Sequence, residues 1–387
     1  MNSNERAAIA LNLGIPDRVP IYSCTAEQNQ IYEILGEQDK AVPLSRIQEG
    51  WTGTLFKLAA PLANGIGWFN RQTEKFLSKK IESEIAMGYD CSAVSYAAFN
   101  LKGNRQATDM FGKLFDLVAD PDGNVDMPMY RQGLLTTPEL WEAWPHPDPE
   151  KFYKTQYRVF ADLQKRYGER IYLMGSLISG LWESASQVMG LAAFSVALRR
   201  NPDFVRRMIK YYETMFLTTI RATADAGMPA LVYGDDMAYK TGPQTSPRVL
   251  DDFFGPSLRR ITAEAHKRGL KIIIHCCGNV YQLLDLFADW GFDGVHALEP
   301  TAGVDLAEVK KRVGKRMCIF GNLDISHVMS QGTREEVEAA VKSALQAAAQ
   351  DGGFIMAMTH SHNAVKVENT RWMIEYTHRY GLYPVTH

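Results

Sequence analysis

Short apolar runs, most of them rich in β-branched side chains, recur along this chain at intervals that leave room for a helix between them. The clearest is Lys271-Ile272-Ile273-Ile274-His275, whose lack of polar alternation predicts a strand buried on both faces, as in parallel sheets. Comparable runs predict strands over 18–23, 91–97, 171–175, 230–234, 293–298, 316–321 and 353–359, making eight. Helical patterns separate the later ones. One starts at Ser246-Pro247 and runs over 247–268, with a capping hydroxyl and a proline at the first helical position. Another keeps apolar side chains at helical spacing over 334–350 and ends at Gly352-Gly353. Eight strand-then-helix units predict an α/β fold, a (β/α)8 TIM barrel forming one domain over 1–387. Two stretches exceed a simple crossover. Residues 24–90 read as a helical roof over the barrel mouth. Residues 98–170 read as an insertion between strands two and three, and the Asp-Gly turn in VADPDGNVD predicts a β-hairpin there.

Composition narrows the class. The chain has 387 residues, 46% apolar and 22% charged, with a formal net charge of −2, as expected of an ordinary globular protein. Near-neutral charge without a basic stripe argues against a nucleic-acid partner. No apolar stretch approaches the ~20 residues that span a bilayer, and the first residues do not read as a signal peptide. Five cysteines, an odd number with two adjacent, do not make a disulfide framework, so a reducing cytoplasm is the expected location.

In a barrel of this kind chemistry sits at the C-terminal ends of the strands. Cys24 follows the first strand and Tyr96 lies near the end of the second; Ser176 and Trp182 follow the third. Asp235 and Asp236 follow the fourth, with Tyr239 and Lys240 just beyond. His275 and Cys277 follow the fifth and Glu299 the sixth. Asn322 and Asp324 follow the seventh, and His360, Ser361 and His362 the eighth. Alternation turns His275 and Cys277 to one side and Cys276 to the other. An imidazole and a thiol converging at a strand end are two ligands of the kind zinc prefers, and a catalytic site needs a third. His360 leads as that third ligand, with His362, Glu299 and Asp235 as competitors. Plainer roles stand beside these. Glu299-Pro300 also suits a turn acid that caps a helix, and one of the Asp235-Asp236 pair also suits acceptance of loop N–H bonds. Lys240 also suits a solvated surface, and Cys91 and Cys318 suit the core.

Several segments together resemble the uroporphyrinogen decarboxylase superfamily, in particular its corrinoid-dependent (methylcobamide) methyltransferase branch. They are Arg18-Val19-Pro20, GDDMAYKTGPQTSP (234–247), HCCGNVYQLLD (275–285), LEPTAGVDLAEVKKRVGKRMCIFGNLD (298–324) and GGFIMAMTHSHNAVKVENTRWMIE (352–375). The resemblance implies a (β/α)8 barrel. Decarboxylases of the superfamily resemble one another in an N-terminal Arg-Gln-Ala-Gly-Arg stretch whose arginines hold substrate propionates. Residues 23–29 here, SCTAEQN, contain no arginine, and a ligand with many carboxylates needs cationic clamps. The methyltransferase branch carries His-x-Cys and a distant cysteine as zinc ligands. His275 and Cys277 match the pair, while His360 stands where the thiol-methylating members have cysteine. An imidazole in place of a thiolate makes zinc a stronger Lewis acid.

The resemblance thus implies a Zn2+-dependent methyltransferase working with a corrinoid (cobalamin) carried by a partner protein. The Asp-x-His-x-x-Gly loop of corrinoid-binding domains is absent from the sequence. Methyl transfer runs either from a methyl ether, such as a methoxyarene, to cobalt, or from methylcobamide to a thiol, and the harder site favours the first (O-demethylation). Asp235, Asp236, Lys240 and Glu299 are the candidate catalytic residues; Tyr96, Trp182, Tyr239 and Asn322 are the candidate substrate contacts. Trp51, Trp68, Phe69 and Phe99 extend an aromatic complement suited to a methoxyarene, or to plain packing. By resemblance the protein is also expected to form a homodimer, with neither membrane nor nucleic acid as partner. A metal-free decarboxylase is the main alternative. A zinc hydrolase using Asp235 or Glu299 as base, and a binding protein with a degenerate site, are the others.

Overall fold

The computed structural model of this protein describes residues 1–24, 27–37, 68–96, 99–102, 105–119 and 126–385. Eight strands close a parallel barrel: β1 (Ile21–Ser23), β2 (Cys91–Val94), β3 (Tyr172–Leu177), β4 (Ala230–Gly234), β5 (Lys271–Cys276), β6 (Gly294–Ala297), β7 (Cys318–Leu323) and β8 (Phe354–Met358). Neighbours follow chain order around the ring, and β1 pairs with both β2 and β8 to close it. All eight expected strands are present, which makes the fold an α/β TIM barrel. Their apolar runs lack alternation because both faces are buried. Tyr22, Val232, Ile273, Phe320 and Ile355 fill the barrel interior, whereas Ile272, Ile274 and Cys276 pack outward among the helices. Cys91 and Cys318 are fully buried core residues.

The helices begin where their capping residues indicate. Ser246 accepts the Val249 N–H at 3.3 Å, and Thr333 and Glu336 form a reciprocal capping box at the start of Arg334–Ala348. The helical stretch expected over 247–268 is two helices, Pro247–Phe253 and Gly255–Lys267, joined at Phe254. Within 24–90, helices occupy Gln28–Leu35 and Trp68–Met87; residues 25–26 and 38–67 lie outside the described residues.

The insertion is larger than a hairpin. Four antiparallel strands in sequence order, Phe99–Leu101, Gln106–Asp109, Lys113–Ala119 and Asp126–Gly133, form a separate sheet. The register of its last two strands sets Ala119 opposite Asp126; the expected Asp-Gly turn falls on residues between them that lie outside the described residues. Strand Asp126–Gly133 rests on the helix Leu181–Met189 that follows β3. A Cβ at Gly133 would stand 2.1 Å from the Val188 carbonyl oxygen, so only glycine fits there.

Asp90, just before β2, ties the N-terminal segment to the barrel. Its side chain accepts hydrogen bonds from Arg6 Nη1 and Arg18 Nη1, each at 2.7 Å, and from the Ile21 backbone N–H at 3.0 Å. The arginine of Arg18-Val19-Pro20 is therefore engaged in a structural ion pair.

Candidate functional site

The strand ends bring His275, Cys277 and His360 together, with one possible ligand atom from each lying within 4.8 Å of the other two. His275 ends the inward-facing row of β5, and Cys277 follows it on the same side. Cys277 Sγ is 3.4 Å from His275 Nε2, and the His275 and His360 rings meet edge to face at 5.7 Å. His275 and Cys277 are half-buried and His360 is exposed. His360 Nδ1 accepts the Ser361 N–H at 2.6 Å, so ligation through this ring requires it to exchange that turn contact. His362 uses its Nδ1 on the Ala364 N–H at 3.0 Å, and among the described residues it joins no such cluster.

The backbone holds this corner tightly. Cys277 donates its N–H to Asp236 Oδ1 at 2.8 Å. Gly278 adopts φ +88°, and a Cβ there would lie 2.7 Å from the Tyr239 carbonyl oxygen; the tight four-residue hairpin 239–242 lies over the His-Cys-Cys-Gly turn because that position has no side chain. Ala297 and Leu298 are consecutive non-glycine residues at positive φ, 91° and 54°, at a cost of about 1–3 kcal/mol each. Asn322 Nδ2 donates to the Leu298 carbonyl at 3.0 Å and fixes this strained turn between β6 and Glu299.

Carboxylates surround the thiol. Burial raises the Cys277 pKa, and Asp236 and Glu299 raise it further, so without a cation the thiol keeps its proton. A dication at this position would offset the same charges. Glu183, which sequence reasoning missed, neighbours Asp236 and Asp235: burial first, then those two carboxylates, push its carboxyl up to about 8. Its one sequence signal is its place in the first turn of the helix after β3.

Because the folded-state pKa of Glu183 lies above its ordinary value of 4.5, its stabilising contribution is complete below that value and lost as pH rises through about 8. The melting temperature of metal-free protein is therefore expected to fall between about pH 5 and 8, and Glu183→Gln should flatten that slope. An identical slope in the variant would discount Glu183 as its source.

His296 was also missed, because inside the run GVHAL it reads as a core position. It lies opposite His275 in the β5–β6 register, fully buried, with the two Nδ1 atoms 2.6 Å apart. Its Nε2 is 2.9 Å from the Met358 carbonyl oxygen. Burial lowers both imidazoles, His275 to about 4, so both are neutral near pH 7. Cys24, His275 and His296 form a second cluster of possible ligands, but both His296 nitrogens are already engaged. Burial pushes the Cys24 thiol up to about 12.

Other sequence-chosen residues lie elsewhere. Asp235 is buried beneath the helix Leu181–Met189 and accepts the N–H groups of Trp182 at 3.0 Å and Glu183 at 2.9 Å. Burial pushes it up to about 7 despite those bonds. Trp182 packs edge-on against Phe194 and Phe254 in the outer core. Tyr239 is 68% exposed on the hairpin, with Lys240 exposed at its tip. The buried Tyr96 hydroxyl has no hydrogen-bond partner among the described residues, and Phe99 packs on Phe115 in the inserted sheet. Trp51 and the side chains of Trp68 and Phe69 lie outside the described residues. Among the described residues no helix is long and apolar enough to cross a membrane, and all five cysteines are free.

Comparison with known proteins adds a family. Methylcobamide:CoM methyltransferase MtaA of Methanosarcina barkeri is 23% identical over 184 residues, 48% of this chain and 52% of its own length. MtbA of Methanosarcina mazei, also a methylcobamide:CoM methyltransferase, is 26% identical over 208 residues, 53% and 59% of the two chains. Uroporphyrinogen decarboxylase of Coxiella burnetii is 25% identical over 189 residues, 48% and 50% of the two chains. The chain spans about half the length of these relatives. A solved methyltransferase from Methanosarcina mazei superposes with a TM-score of 0.66 over 98% of this chain and 99% of its own, at 16% identity, a likeness of fold. The profile of the uroporphyrinogen decarboxylase (URO-D) family matches residues 118–380, from the inserted sheet through the last helix, and with this barrel and its strand-end motifs the chain belongs to that family.

Proposed function

We propose that this protein is a zinc-dependent, corrinoid-linked methyltransferase that moves a methyl group between a small substrate and the cobalt of a separate corrinoid protein. A methyl ether such as a methoxyarene is preferred to a thiol as the substrate. The observation that carries the reading is the convergence of His275, Cys277 and His360 at the open end of the barrel, two imidazoles and one thiol within 4.8 Å. That donor set fits zinc in kind and number and leaves a position for substrate. Bound there, zinc would act as a Lewis acid toward an ether oxygen or keep a substrate thiol deprotonated.

The surrounding residues have assignable tasks. Asp236 orients Cys277 through its backbone N–H, and Glu299 adds negative charge beside the thiol. Asn322 fixes the turn that carries Glu299. In ether cleavage the methyl group passes to reduced cobalt, the bonding pair stays on oxygen, and the alcohol or phenol product needs a proton. Glu183, which retains its proton near neutral pH, is our choice of donor. Asp235 supports it by capping its helix. Tyr239 and Lys240, exposed on the hairpin, suit contact with a docked corrinoid protein better than contact with a buried substrate.

The names of the MtaA and MtbA relatives favour the thiol direction as second reading; the imidazole at His360 favours the ether. A decarboxylase acting on a polycarboxylate fits poorly, because Asp236 and Glu299 would meet the substrate with like charge. Protein purified without chelator is expected to hold one zinc per chain and to methylate a Co(I) corrinoid from at least one member of a methoxyarene panel. Methylation of thiols alone from methylcobamide would reverse the direction, and absence of zinc would overturn the metal reading.

A further inference from the structure

We infer that His296 is a positioning residue that fixes the tautomer of His275 through a hydrogen-bond chain ending at the Met358 carbonyl. This deepens the zinc reading above and rests on it. A carbonyl oxygen only accepts, so His296 must carry its proton on Nε2, 2.9 Å from Met358 O. A neutral ring protonated there has a bare lone pair on Nδ1. His275 Nδ1 lies 2.6 Å from that nitrogen and must carry the N–H that donates to it. The lone pair of His275 is thereby assigned to Nε2, the atom 3.4 Å from Cys277 Sγ. One main-chain oxygen on β8 thus determines which nitrogen a residue on β5 offers to a metal.

The His296 ring has little freedom to do otherwise. It is fully buried, with Tyr22 edge-on at 5.2 Å and Phe320 edge-on at 6.3 Å. The backbone repeats the alignment, since His275 and His296 are register partners on adjacent strands. Partners of this kind hold a ligating imidazole in its ring orientation and raise its basicity, and their loss costs about 10–100-fold in metal affinity.

Zinc affinity measured by chelator competition, together with the visible spectrum of the Co2+-substituted protein, tests the inference in wild type, His296→Phe and His296→Asn. The phenylalanine variant removes the acceptor and is expected to bind zinc about 10–100-fold more weakly, with an altered cobalt spectrum. The asparagine variant sets an amide oxygen near the Nδ1 position and should recover most of the affinity. A phenylalanine variant that binds zinc as tightly as a zinc-binding wild type would overturn the inference while leaving the metal site standing. A wild type that binds no zinc would overturn both. The 15N spectrum of histidine-labelled, metal-free wild type gives a readout that needs no variant. His275 protonated on Nδ1 and His296 on Nε2 are expected, and the opposite tautomers would refute the chain.

Discussion

Replacing His275 or Cys277 by alanine is expected to abolish stoichiometric zinc and to lower methyl transfer by on the order of a thousandfold, while the barrel stays folded. The expected loss follows from the Lewis-acid contribution, several kcal/mol of charge stabilisation, at about 1.4 kcal/mol per factor of ten. Each variant leaves two protein donors, fewer than a zinc site requires. The fold should survive because both side chains are half-buried at the rim and neither belongs to the inner or outer apolar core. Metal analysis, thermal melts and methylation of a Co(I) corrinoid check the three parts separately. Full zinc occupancy in both variants would place the metal elsewhere, and loss of the melting transition would mean the residues serve the fold instead. His360→Ala likewise leaves two protein donors and is expected to lose stoichiometric zinc, with the melt unchanged because that ring is exposed.

Replacing Asp90 by alanine is expected to destabilise the protein by about 3–5 kcal/mol without touching the His275, Cys277 and His360 cluster. Its side chain is 1% exposed, and its two partners Arg6 and Arg18 are 8% and 16% exposed. Removal of the carboxylate leaves both guanidinium groups largely desolvated; Arg6 retains Asp17, while Arg18 loses its anionic partner. The Ile21 N–H, at the start of β1, also loses its acceptor. By contrast, Asp203 is 87% exposed beside Arg206, and cutting that pair should cost less than about 1 kcal/mol. Denaturant midpoints compare the two variants directly. Equal stability of Asp90→Ala and wild type would show that the arginines find water or other partners at little cost.

The barrel was legible because each strand is buried on both sides, and an unbroken apolar run signals that condition. Boundaries were less so. β7 begins at Cys318, two residues later than expected, so Asn322 lies within the strand and its amide is used on the Leu298 carbonyl. Alternation correctly paired His275 with Cys277 and turned Cys276 outward, since side-chain direction along a strand is local geometry. It could not decide between Asp235 and Asp236, because the chain leaves β4 there and the regular period ends. One carboxylate caps a helix and the other reaches Cys277. Trp182 was expected at the substrate because it follows a strand, yet helical geometry turns it to the outer core. His296 and Glu183 were invisible for a common reason: their importance comes from register partners and neighbouring charges that only the closed ring assembles.

The glycine at 133 has a consequence for inheritance. Because the inserted sheet meets the helix after β3 at bare backbone, the two surfaces have to descend together. A recombination joint between residues 133 and 181 would couple halves that do not mate. Exchanges that carry the whole of 99–189 would keep the seam, and with it the proton-bearing glutamate at 183, intact.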